Sequence, residues 1–79
     1  MLKLGELLKH MRVQSDCVSV TANAYDTKGK YYSFRTLAYK VDEKTALEEC
    51  KYALDEEVLS VDVYDDGAVI ITIKEVVEC

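Results

Sequence analysis

The sequence predicts an α+β domain in the order α-β-β-α-β-β: a four-stranded, mainly antiparallel sheet with one helix packed on a face and a short helix at the N-terminus. Three observations predict it. Apolar residues recur at helical spacing in two segments, they alternate with period two in four others, and each pair of alternating segments is joined by a turn ending in glycine. At 79 residues there is room for a single domain over 1–79, which buries only about 60–65% of its unfolded surface and gains from a partner or a second copy.

The first helix is expected within residues 1–12, where Leu4, Leu7, Leu8 and Met11 form one stripe and Lys3, Glu6, Lys9 and Arg12 fall mostly elsewhere. So short a helix needs something to dock on. The first hairpin is expected over 17–40. Val18, Val20, Ala22 and Ala24 alternate with polar residues, and Asp26-Thr27-Lys28-Gly29 suits a type I turn with glycine in the left-handed position. A loop of Thr27 to Gly29 would pair Ala24 with Tyr32, Ala22 with Phe34, Val20 with Thr36 and Val18 with Ala38, small against large on one buried face.

Asp42 is a suitable N-cap for a second helix within 42–55, running from about Glu43 to Leu54, with Ala46, Leu47, Cys50, Ala53 and Leu54 on its apolar side. The second hairpin is expected over 58–77, around Tyr64-Asp65-Asp66-Gly67. With Asp66-Gly67 alone as the loop, Ile71 and Ile73 would face Asp62 and Ser60. With Asp65-Asp66-Gly67 as the loop, Val63 meets Val69, Val61 meets Ile71 and Leu59 meets Ile73, so the second register is preferred.

One sheet face is thereby assigned to the core. The other would carry Tyr25, Tyr31, Arg35, Leu37 and Tyr39 from the first hairpin and Val58, Tyr64 and Ile70 from the second. That is too apolar to face only water, and so either the first helix, a second subunit or a bound partner is expected to cover it. Charge is divided along the chain. Residues 1–40 hold seven Lys or Arg against three Asp or Glu, and residues 41–79 hold three against twelve, within a net charge of −5. Glu48, Glu49, Asp55, Glu56, Glu57 and Asp62 therefore form a candidate acidic face for a basic groove of another protein.

Other chemistries fit the residues poorly. Cys17, Cys50 and Cys79 are too widely spaced for a zinc knuckle or a CxxC pair, and His10 is the lone histidine. The turn carboxylates are too few for calcium. A nuclease arrangement of Asp62 or Asp66 with Lys74 lacks a carboxylate where Thr72 stands. No catalytic residue, metal or cofactor is expected. No apolar run reads as a signal core or membrane span, which suggests a cytoplasmic protein.

The stretches "MLKLGELLKHM" and "LDEEVLSVDVYDDGAVIITIKE" resemble small uncharacterized accessory proteins of phages and prophages of Gram-positive bacteria. Those proteins begin with a leucine-lysine helix and end on a hairpin of the form V-x-S-I-D-x-x-D-D-G-x-L-x-I-x-I. The likeness covers about thirty residues at the two ends. It implies a non-enzymatic protein that acts by protein–protein binding, since that broad group includes anti-CRISPR inhibitors of host defense, some with sheet-mediated dimers. The partner would be a host protein, such as a nucleic-acid-targeting effector, with a homodimer as a further expectation. The alternative is a small nucleic-acid-binding module, in which Tyr31 and Tyr39 stack bases and Lys28, Lys30, Arg35 and Lys40 follow the backbone. The net charge opposes that reading.

Overall fold

Leu4, Leu8, Val18, Val20, Ala22, Ala46, Cys50, Ile71 and Ile73 are sealed from solvent in one cluster. The spacing of these residues explains which elements meet. The computed structural model describes residues 1–11 and 17–77, and so Arg12 and Cys79 lie outside the described residues. The elements are α1 (Leu4–His10), β1 (Val18–Tyr25), β2 (Tyr31–Val41), α2 (Glu43–Glu49), β3 (Val58–Val63) and β4 (Val69–Val76), in the expected order. No described helix is long and apolar enough to cross a membrane.

The sheet is mixed, with strand order β2-β1-β4-β3. Both hairpins are antiparallel, and they join through a parallel pairing of β1 with β4 that sets Val18 beside Val69, Val20 beside Ile71 and Ala22 beside Ile73. These six side chains form the floor of the core. Both helices contribute to the same cluster, α2 lying over β1 and β2 and α1 against α2. The opposite sheet face carries no described element.

Both turns form as read from the sequence. Gly29 and Gly67 take φ of 86° and 90°, conformations that L side chains resist. Asp26 N–H donates to the Lys30 carbonyl, and Tyr64 N–H to that of Ala68. "YDDG" is thus a hairpin corner, with Val63 opposite Val69 and Val61 opposite Ile71. The expected pairing of Leu59 with Ile73 is corrected, because an irregularity after Val58 gives Ile73 to Val58; Leu59, Val61 and Val63, all expected in the core, are exposed along the edge strand β3.

The larger correction is in β2. Tyr25 pairs with Tyr31 as expected, but a bulge next to it sets Ala24 opposite Ser33, Asn23 opposite Phe34, Ala22 opposite Arg35 and Thr21 opposite Thr36. A one-residue shift exchanges the two faces of a strand. Tyr32 and Phe34 therefore do not enter the core, and are 64% and 67% exposed. A second irregularity returns Ala38 to the buried face opposite Val20, with Leu37 half-buried beside it. A third lies near Lys40, at φ 49°, whose N–H donates to the buried Ser19 Oγ at 3.0 Å.

α2 begins as expected, with the Asp42 carboxylate accepting from Thr45 N–H at 2.7 Å. It ends at Glu49 rather than Leu54. Residues 50–56 instead descend through tight turns that carry buried Cys50 and Ala53 into the core. Their carbonyls have another use. Leu4 N–H donates to the Glu56 carbonyl at 3.0 Å and Gly5 N–H to that of Leu54 at 2.8 Å, satisfying donors at the start of α1, where Lys3 supplies no side-chain cap. Gly5 permits this approach: a Cβ there would lie 3.1 Å from the Leu54 side chain and 3.2 Å from its carbonyl oxygen.

Candidate functional site

The shift in β2 redistributes the residues that the sequence grouped on one sheet face. Arg35, paired with Ala22, and Glu75, beside Ala24, stand on the helix-bearing face. There the Arg35 guanidinium donates to Glu75 Oε2 from Nη2 at 2.9 Å and from Nε at 3.2 Å. The expectation that Arg35 shares a face with Tyr25 is corrected, and the same holds for Leu37, which packs against the core. Val58, expected on that face too, pairs with Ile73 and packs on the core.

On the helix side these residues meet part of the acidic set. A cleft of about 280 Å³ opens where α2 ends, lined by Arg35, Leu37, Glu49, Cys50, Tyr52, Ala53, Glu56 and Glu75. Three glutamates and one arginine line the cleft, and the guanidinium is engaged by Glu75. Glu49 and Glu56 leave a surplus of negative charge over an apolar wall, and Tyr52, 90% exposed, stands at the rim, where Lys51 Nζ lies 5.1 Å from its ring and marks the site a cation takes. Burial pushes the Cys50 thiol above its ordinary pKa, and Glu49 adds to the effect, so this thiol stays protonated and behaves as an apolar wall group.

The remaining acidic residues do not form one continuous face with Glu49 and Glu56. Glu48 is exposed on α2, and Asp55 lies in a neighboring depression with Lys3, Glu6, Lys9 and Lys51. Glu57 is half-buried, bridging to Lys3 through its backbone. Asp62 pairs with Ile70 and so points from the opposite sheet face.

The uncovered face holds Thr21, Asn23, Tyr25, Phe34, Thr36, Ile70, Thr72 and Lys74, by register with one another. Tyr25 and Tyr31 meet edge to face at 5.9 Å between ring centroids, with Lys74 Nζ 5.6 Å from the Tyr25 ring. Thr21 and Thr72 hydroxyls are 3.3 Å apart across β1 and β4. Tyr39 and Tyr64 are exposed near strand ends, Lys40 Nζ resting 5.4 Å from the Tyr39 ring. Phe34 and Tyr52 escaped the sequence reading: Phe34 was assigned to the core, and nothing in the spacing around Tyr52 announces that the helix stops before it.

Among the described residues, no group of three His, Cys, Asp or Glu side chains is placed to hold a metal ion. No protein-family model, curated protein or solved structure matches this chain.

Proposed function

We propose that this chain is a non-enzymatic accessory protein, of the phage type that its two ends resemble, and that it works by binding a protein partner through the helix-side cleft. The observation that carries the reading is the convergence of Glu49, Glu56 and the Arg35–Glu75 pair on one concave surface with Leu37 and Tyr52 beside them. Such a surface suits an arginine-bearing segment. The planar guanidinium donates two parallel hydrogen bonds to a carboxylate and stacks on an aromatic ring, while an apolar wall removes water from the pair. Host effectors that target nucleic acid carry basic grooves, and an acidic protein seated in one would inhibit a defense system such as CRISPR-Cas.

The test begins with nuclease-treated capture from host lysate, which identifies a partner held without DNA or RNA. The purified partner is then titrated against the wild type and a Glu49→Lys, Glu56→Lys variant whose fold is checked by circular dichroism. Loss of a desolvated charge pair costs about 2–5 kcal/mol, so the variant should bind roughly 30-fold to several-thousand-fold more weakly. A folded variant with undiminished affinity would remove the cleft from the interface.

A further inference from the structure

The uncovered sheet face and its β2 edge differ in chemistry from the cleft. Residues 27–41 contain Lys28, Lys30, Arg35 and Lys40 and no acidic side chain. With Arg35 turned to Glu75 on the other side, three lysines remain along this strand and its turn, and Lys74 joins them from β4. Phe34, Tyr31 and Tyr32 are each more than half exposed, a costly arrangement for rings in water alone. Between them lie hydroxyl and amide groups, Thr21, Asn23, Thr36 and Thr72, rather than the aliphatic residues of a buried interface.

Among the described residues, the acidic side chains are mostly remote from this surface. Glu49, Glu56 and Glu75 lie on the helix side. Among the described residues, Asp62 is the one strand carboxylate on the uncovered face, and it sits on β3, three strands from β2. At about 4.8 Å per strand this is roughly 14 Å, beyond the Debye length of about 8–10 Å at ordinary salt. Asp26 is closer, with its carboxylate accepting from Lys28 and Lys30 N–H, both at 2.9 Å, and its single negative charge is outnumbered by Lys28, Lys30 and Lys74.

From this surface we infer a second binding activity: single-stranded nucleic acid lies across the β2 side of the uncovered face, with bases stacked on Phe34 and Tyr31 and phosphates held by Lys28, Lys30 and Lys74. Stacking tolerates any base, because each presents a π-face, and the lysines supply the sequence-independent attraction. The hydroxyl and amide side chains between the rings can bond sugar or base edges. This surface is separate from the cleft, so the two activities stand or fall independently.

Fluorescence anisotropy with a labeled oligothymidine about 12 nucleotides long tests the inference. Binding is expected at low salt and should weaken with a log–log slope of about −2 to −3, as for three or four neutralized phosphates. Phe34→Ala and Tyr31→Ala should each weaken binding about fivefold or more. Lys30→Glu should weaken it further, whereas Lys44→Glu, an equal charge change on α2, should leave it as it is. No binding at the lowest workable salt would overturn the inference, as would equal losses for Lys30→Glu and Lys44→Glu or unchanged binding by folded Phe34→Ala and Tyr31→Ala proteins. If those ring substitutions instead abolish capture of a protein while the oligonucleotide never binds, the face belongs to a protein partner and the inference is wrong.

Discussion

Single residues decide which side of the sheet each candidate faces. Phe34 is the sharpest case, because the alternation of β2 reads equally well with Phe34 inward or outward, and only the bulge beside Tyr25 settles it. Phe34→Ala should change stability by no more than about 0.5 kcal/mol, whereas a core phenylalanine would lose about 3–5 kcal/mol. Chemical denaturation measures the difference, and a loss in the upper range would restore the unbulged register. Asp42 makes a pH-dependent contribution. Its carboxyl is held below the usual value, chiefly by hydrogen bonding to Thr45, so the ionized form is favored by folding. The stabilization is present above the unfolded-state pKa and is lost as pH falls through the depressed native value. Asp42→Asn, which keeps an acceptor but not the charge, should flatten the acid limb of a stability-against-pH curve; an unchanged limb would mean that other carboxyls dominate.

At the level of elements, the two turns and the stripe of α1 were legible because each has a local cause. Glycine at positive φ fixes the corners, and Leu4 and Leu8 occupy the buried side of the first helix as their spacing requires. The bulges were not legible, since β2 carries aromatic rings at both parities and its pattern selects no single register. The early end of α2 was hidden for another reason. Ala53 and Leu54 continue the helical spacing and do pack on the core, but the carbonyls of Leu54 and Glu56 are drawn to the N–H groups of α1 by a contact nearly fifty residues away in sequence. This makes α1 part of the fold and not a loose arm. Leu8→Ala, at a fully buried position, should cost about 2–5 kcal/mol, a large share of a small domain's stability. Urea unfolding would show it, and a loss below about 1 kcal/mol would mean that α1 contributes little to the core.

For the whole molecule, the lesson of the sequence was the division of charge, and the strand order shows its spatial meaning. The parallel β1–β4 pairing places the two strands with the cleanest alternation of aliphatic and polar residues at the center, and sends the basic β2 to one edge and β3, with Asp62 and the acidic Asp65-Asp66 corner, to the other. No feature of local spacing names that order, because it is set by which hairpins share a core floor. The candidate acidic set was partly legible: Glu49 and Glu56 converge, while Asp62 points away. What the sequence did not reveal is that Arg35 and Leu37 join them, since that follows from a non-local bulge. The molecule therefore has two chemically distinct sides, an acidic cleft where α2 ends and an aromatic, lysine-bearing sheet face behind it.

The central claim is that the cleft binds a basic protein segment, and titration of a captured, purified host partner with the wild type and the Glu49→Lys, Glu56→Lys variant at two salt concentrations tests it most directly. Wild-type affinity should fall with salt, and the folded variant should bind at least about 30-fold more weakly at the lower salt. Equal affinity for the two proteins would contradict it.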